Sequence, residues 1–153
     1  MMTIADFTGA TPVSTSKAQA LALLAFRLCL VPLFYYSGIG KIMNFAGTAA
    51  RLPGGGNAFS MLLTAGSIGV EVGIATLFLF GIFARQTAVI LILYTIAATL
   101  MFHNFWAVPE AQVVTQTINF CKNLGLIGGL LMIVAVGAGP YAIGLGDSSK
   151  SRT

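Results

Sequence analysis

Two charged residues lie inside long apolar stretches of the sequence, Arg27 in the first and Glu71 in the second. At 1.5 Å per residue, each lies about 14–16 Å from the end at which its stretch enters the membrane. The similar depths predict an ion pair, because an unpaired charge in lipid costs several kcal/mol. The pair would either lock the two helices together or form a site, with Glu71 as the candidate catalytic residue. Both interpretations stay open.

A second set of polar residues collects towards one end of the apolar stretches. Lys41 closes the first stretch and His103 the third, and three polar residues open the fourth within about 100° of helical arc. The set predicts a polar cavity that opens at this end, above Glu71, and binds a cofactor. Its members are Lys41, His103, Asn119, Lys122 and Asn123. Alternatively, Lys122 extends to the membrane surface, and His103 is an interfacial residue.

The helical faces suggest which sides are covered. At 100° per residue, Glu71 shares one side of the second stretch with small and hydroxylated residues: Ser60, Thr64, Ser67 and Ala75. Glycines at positions 66, 69 and 73 lie nearly opposite, and Gly125 and Gly129 lie near the polar residues of the fourth stretch. The GxxxG spacing at 69–73 and 125–129 allows close helix approach. We therefore expect the second helix to be covered by protein on two sides, its Glu71 side and its glycine side, and the glycine side of the fourth helix to be packed against another helix.

The composition identifies the class of protein that must position these residues. Of the 153 residues 57% are hydrophobic and only 8% are charged, with a mean hydropathy of +0.91. Because soluble domains carry about 25% charged residues, the chain is an integral membrane protein. The net charge of +4 is spread over single basic residues near the ends of the apolar stretches. This pattern speaks against nucleic-acid binding.

The cysteine and histidine content excludes several redox centres. Cys29 and Cys121 form neither CxxC nor CxxCH, which excludes a thioredoxin-type motif and c-type haem attachment. The single histidine, His103, cannot provide bis-histidine haem ligation within one chain. We expect no metal site and no covalent cofactor. The helical rise separates the two cysteines by roughly 9 Å in depth, beyond disulfide reach, so both are expected to be free.

Four stretches have the roughly 20 apolar residues that a helix needs to cross a bilayer: residues 18–40, 60–81, 87–102 and 118–138. They predict an all-α, integral membrane, four-helix transmembrane bundle. One domain, residues 18–146, lies between polar tails at residues 1–17 and 147–153. The turn FARQ is so short that the second and third helices must be antiparallel neighbours. The loop 41–59 contains PGGG, and a short surface helix is expected near residues 45–52.

The distribution of basic residues predicts the orientation. One side of the bundle holds the termini and the short turn, and it has more Lys and Arg than the side with the two longer loops. The positive-inside rule then places both termini in the cytoplasm. The basic residues on the side of the termini are Lys17, Arg85, Lys150 and Arg152. Those on the opposite side are Lys41, Arg51 and the nearby Lys122.

Several segments in the same order resemble the DoxX family. RLCLVPLFYYSGIGKIMNF is similar to its first helix, with an Arg-Leu start and a GxxK ending, and EVGIATLFLFGIFARQTA is similar to its second. The histidine that closes the third helix fits, as does NFCKNLGLIGGLLMIVAVGAGPYAIG in the fourth. The resemblance spans about Phe26 to Asp147. The ending GPYAIGLGD departs from the family's usual serine–leucine–aspartate finish, with Asp147 as the shifted counterpart.

The resemblance implies a four-helix protein of the bacterial or archaeal cytoplasmic membrane. Some members are subunits of a thiosulfate–quinone oxidoreductase, and others are linked to thiol stress or quinone response. The first interpretation is therefore a subunit or accessory of a quinone- or thiol-linked membrane oxidoreductase, not catalytic alone, with quinone as the candidate ligand of the polar cavity. The second is a structural subunit that assembles with other membrane proteins. The third is a small-metabolite carrier, which the absence of an internal repeat disfavours.

Overall fold

The computed structural model describes residues 16–143, which form four long helices and, within that range, no strand. Each is long and apolar enough to cross a membrane: Lys17–Met43, Ala58–Phe80, Ala84–Ala107 and Glu110–Val136. The expected all-α membrane bundle is confirmed. The predicted C-terminal tail, and the N-terminal tail up to residue 15, lie outside the described residues.

Helix α1, Lys17–Met43, forms the first span and begins at a capping box. The Ser16 hydroxyl accepts a hydrogen bond from the Gln19 backbone N–H, and the Gln19 side chain accepts one from the Ser16 backbone N–H. Both groups would otherwise be unsatisfied at the helix start. A short helix, α2, Phe45–Arg51, follows at once, which confirms the helix expected in this loop.

The second span changes helical geometry in its middle. Helix α3, Ala58–Ile68, gives way to a π-helical segment, Gly69–Ile74, and α-helical geometry resumes in α4, Ala75–Phe80. The π segment contains Glu71. Such wide turns within helices occur frequently at functional sites, which directs attention to this level of the bundle.

The third and fourth spans form an antiparallel hairpin. Helix α5, Ala84–Phe102, follows a tight turn in which Gly81 has φ 70°, and it packs against α4, as the short turn predicted. Helix α6, Glu110–Val136, begins at Glu110 rather than at residue 118. The predicted start lies eight residues too far along the chain, because the first residues of α6 are polar. Hydropathy does not detect a helix that continues past the apolar region. The preceding loop contains a 3-10 turn, Phe105–Ala107.

The spans pack as two pairs that separate towards one end. Helix α5 packs on α6, and α1 packs on the whole second span. The pairs meet where α5 contacts the π segment and α4 and where α1 contacts α6, whereas α5 has no extensive packing with α3. The bundle is therefore a wedge. We call the end with α2 and the 3-10 turn the open end, and the end with the turn at Gly81 the closed end.

The hydrophobic core fills the closed half of this wedge. It contains large side chains from α1, α4, α5 and α6, including Leu30, Phe34, Phe78, Leu91 and Ile133. Lipid tails are as apolar as these side chains, so close van der Waals packing, rather than removal from water, holds the two helix pairs together here. The open half lacks such a core, so its interior is free to hold polar groups.

Candidate functional site

Glu71 forms a salt bridge with Lys41 inside the bundle. Lys41 Nζ lies 2.7 Å from Glu71 Oε1 and 2.6 Å from Oε2, and it also donates to the Ser37 hydroxyl at 2.7 Å. The Glu71 side chain is 4% exposed and that of Lys41 is 20% exposed. Glu71 precedes Gly81 at the closed end by about 15 Å of helix, half the thickness of a 30 Å hydrocarbon core. The salt bridge therefore lies near mid-membrane.

Tyr94 of α5 completes this arrangement. Its hydroxyl donates to Glu71 Oε1 at 2.7 Å, so the carboxylate joins three of the four spans. A Cβ at Gly38 would lie 2.8 Å from Val72 Cγ2 and 3.1 Å from Glu71 Cβ, so glycine there permits the close approach of α1. Hydrogen bonds to an ionised group are about twice as strong as neutral ones. We call Lys41, Glu71 and Tyr94 the charged cluster.

The predicted ion pair between Arg27 and Glu71 is wrong, because the two side chains extend in opposite directions. Side chains on a helix point towards its N-terminus. The first two spans are antiparallel, so Arg27 extends towards the closed end and Glu71 towards the open end. Lys41 extends back one turn to Ser37, and there it meets Glu71.

Arg27 instead joins segments at the closed end. It is fully buried, and its Nη1 and Nη2 donate to the carbonyl oxygens of Leu79, at 2.5 Å, and Tyr141, at 2.6 Å. Leu79 lies in the last turn of α4, where carbonyls lack helical partners and the helix dipole favours a cation. The Ile143 N–H also donates to the Phe80 carbonyl at 2.9 Å. Arg27 thus fixes the segment after α6 to the end of the second span.

A cavity of about 1080 Å³ occupies the wedge above the charged cluster. Residues of α1, α2, α3, the π segment and α5 line it, and all three members of the cluster are among them. Much of the wall is apolar, and several short side chains leave the space open: Gly40, Gly66, Ala97 and Ala98. Arg51 and His103 also line the cavity. A large, mostly apolar cavity with a few convergent polar groups is the usual form of a small-molecule site.

The structure brings only part of the predicted polar set into this cavity. Lys41 and His103 line it, together with Glu71, whereas the polar residues of α6 do not. Lys122 is exposed, so the expectation that it faces inward is wrong. The amide of Asn123 donates to the Thr99 hydroxyl at 2.8 Å. Helix α6 packs against α5 and contributes nothing to the cavity wall, so its polar groups reach α5 or the surface.

Two other residues of the set have partners or positions outside the charged cluster. His103 Nδ1 lies 2.8 Å from Gln116 Oε1, which ties the end of α5 to α6. Asn119 is half-buried on α6 and does not line the cavity. Among residues 16–143, no group of three or more His, Cys, Asp or Glu side chains is placed to hold a metal ion.

The glycine faces differ from expectation, whereas the hydroxylated face does not. A Cβ at Gly69, Gly73 or Gly125 would meet nothing within 4 Å, so these faces are open rather than covered. A Cβ at Gly129, in contrast, would collide with the ring of Phe26. The face of Glu71 is turned inward as predicted, with Ser60, Thr64, Glu71 and Ala75 buried.

Sequence reasoning missed Tyr94 and Ser37. Tyr94, Ala97, Ala98 and Met101 follow the i, i+3, i+4, i+7 spacing of one helical face, and all four line the cavity. A polar residue followed by small ones on one face was the available signal. Ser37 lies one turn before Lys41, within reach of a lysine side chain that points back along its helix.

Four spans arranged around a buried Lys–Glu–Tyr cluster define a small helical membrane protein with a cavity that opens at one end of the bundle. The DoxX family model matches residues 22–104. The chain belongs to the DoxX family, as its sequence segments indicated.

Two relatives from Escherichia coli (strain K12) cover most of the chain. Inner membrane protein YphA is 31% identical over 126 residues, which is 82% of this chain and 90% of the relative. Inner membrane protein YqjF is 31% identical over 127 residues, 83% of this chain and 92% of the relative. No solved structure matches the chain significantly.

Proposed function

We propose that this DoxX-family membrane protein binds a lipophilic molecule with a polar ring, of the quinone class, in the wedge cavity. It acts as a subunit or accessory of a quinone- or thiol-linked membrane oxidoreductase and has no catalysis of its own. The observation that carries the proposal is the charged cluster at the floor of an otherwise largely apolar cavity. With both termini in the cytoplasm, as the basic residues predict, the cavity opens on the outer side.

The cavity's chemistry supports a ligand with a polar head and an apolar tail. The charged cluster provides hydrogen-bonding groups near mid-membrane, where a purely apolar ligand would gain nothing from them. Leu62, Leu63 and Met101 in the wall offer apolar contact for an isoprenoid or alkyl tail. Of the ligand contacts predicted from the sequence, Lys41 and His103 remain in this proposal, and Glu71 and Tyr94 take the place of Asn119, Lys122 and Asn123.

Assembly with other membrane subunits is a second function that the surface favours. The open glycine face at Gly69 and Gly73 offers the backbone close to a neighbouring helix. Helix α6 is also largely exposed along its length. A structural subunit would use these faces and would not need an empty cavity.

Filling the cavity separates the two functions. Gly66→Leu places a side chain inside the cavity, whereas Gly125→Leu is a matched control on the surface of α6. Both glycines are helical, exposed and free of neighbours within 4 Å of a Cβ. Binding of a radiolabelled decyl-quinone to purified protein in nanodiscs should be lost in Gly66→Leu and kept in Gly125→Leu. Absence of saturable binding to the unmodified protein would reject the ligand proposal and favour assembly.

A further inference from the structure

The hydrogen-bond donors at the floor of the cavity are almost all engaged within the protein. An ammonium group has three donors, and Lys41 directs them to Glu71 Oε1, Glu71 Oε2 and the Ser37 hydroxyl. The Tyr94 hydroxyl proton goes to Glu71, and the Ser67 hydroxyl donates to the Thr64 carbonyl at 2.8 Å. Among the described residues at this floor, only the Ser37 hydroxyl proton remains for a ligand acceptor.

Acceptor capacity, in contrast, is left over. A carboxylate offers about four lone-pair positions. Glu71 uses two on Oε1, for Lys41 and Tyr94, and one on Oε2, for Lys41. One position on Oε2 therefore has no donor from residues 16–143, in a carboxylate that is 4% exposed and lines the cavity.

We infer that the site recognises a ligand hydroxyl that donates to Glu71 Oε2, and so selects the reduced hydroquinone over the quinone. This inference rests on the proposed function and adds the redox state of the ligand. A quinone carbonyl is an acceptor, and at the floor the free donor that it meets is the neutral Ser37 hydroxyl, beside a carboxylate. Arg51 and His103, which also line the cavity, belong to its open end. A hydroquinone O–H donates to an ionised oxygen, and such charge-assisted bonds are about twice as strong as neutral ones.

The selectivity is tested with three ligands that share one decyl tail: the hydroquinone, the quinone and the hydroquinone dimethyl ether. The ether keeps the ring of the hydroquinone but has no donor. Dissociation constants are measured anaerobically on the full chain in nanodiscs by isothermal titration. We expect the hydroquinone to bind at least about 10-fold tighter than either of the others, the lower limit for one hydrogen bond to a charged group.

Two variants locate the effect. Glu71→Gln removes the charged acceptor and releases donors of Lys41, so the preference for the hydroquinone should disappear. Tyr94→Phe frees a second acceptor position on Glu71 and should keep or increase the preference for the hydroquinone. If Glu71→Gln does not fold, Tyr94→Phe still tests the inference, because loss of the preference in this variant would contradict it. Equal binding of all three ligands to the unmodified protein would overturn the selectivity and leave the proposed function standing. Binding of none of them would overturn both.

Discussion

Removing Glu71 should strongly destabilise the bundle, because it leaves Lys41 without its counter-ion near mid-membrane. Breaking a buried ion pair from one side costs about 3–5 kcal/mol. Lys41 is 20% exposed and keeps Ser37 as a partner, so we expect the lower end of that range for Glu71→Leu. The double variant Lys41→Met/Glu71→Leu carries no unpaired charge. It should cost at least about 1 kcal/mol less than the sum of the two single changes.

The assay is reversible unfolding in SDS, followed by the fluorescence of the single tryptophan, Trp106. The matched control is a second double-mutant cycle, which combines Arg27→Met with Glu71→Leu. Because Arg27 and Glu71 share no partner, their effects should add within about 0.5 kcal/mol. Strong coupling in the Arg27 cycle together with additivity in the Lys41 cycle would refute the helix register and the reasoning from side-chain direction.

Three further outcomes are expected. Arg27→Met should lower the free energy of unfolding by about 2 kcal/mol or more, since the carbonyls of Leu79 and Tyr141 lose their charged donor. Limited proteolysis should then cut faster after residue 137. Arg27→Lys should not rescue it, because a single ammonium cannot reproduce the planar fork. Gly81→Ala should destabilise the fold by about 1–2 kcal/mol, because φ is 70° at this position. The control Gly125→Ala, within α6, should be neutral or stabilising. Equal effects of the two changes would contradict the turn geometry. Mass spectrometry of alkylated protein should find Cys29 and Cys121 both as free thiols, and a cross-linked peptide between them would contradict the packing.

The spans could be predicted from the sequence because hydropathy and length alone determine which helices cross a membrane. The inward faces of Arg27, Glu71 and Lys41 also followed from helical periodicity, and all three residues are buried or half-buried. The partner of Glu71 could not be predicted in this way, because the depth of each charge in the membrane was taken from its backbone position. An Arg or Lys side chain is long enough to shift its charge by more than one turn, and the direction of that shift decides its partner.

The role of α6 was the second limit. Lys122, Asn119 and Asn123 form a polar face, but periodicity does not reveal which neighbour a face meets. Only the packing of α6 on α5, away from the wedge, shows that this face does not reach the cavity. The π segment at Gly69–Ile74 was equally hidden, because it depends on backbone hydrogen bonds rather than on residue type.

Mapping the cross-links of a photoreactive quinone tests the central claim most directly. An azido-quinone is irradiated with the protein in nanodiscs, with and without excess unlabelled hydroquinone, and the modified peptides are identified by mass spectrometry. The wedge site requires competed labels within residues 36–44, 62–71 and 94–103, which form most of the cavity wall. Competed labels confined to the exposed face of α6 around Lys122, with none in those three segments, would contradict it.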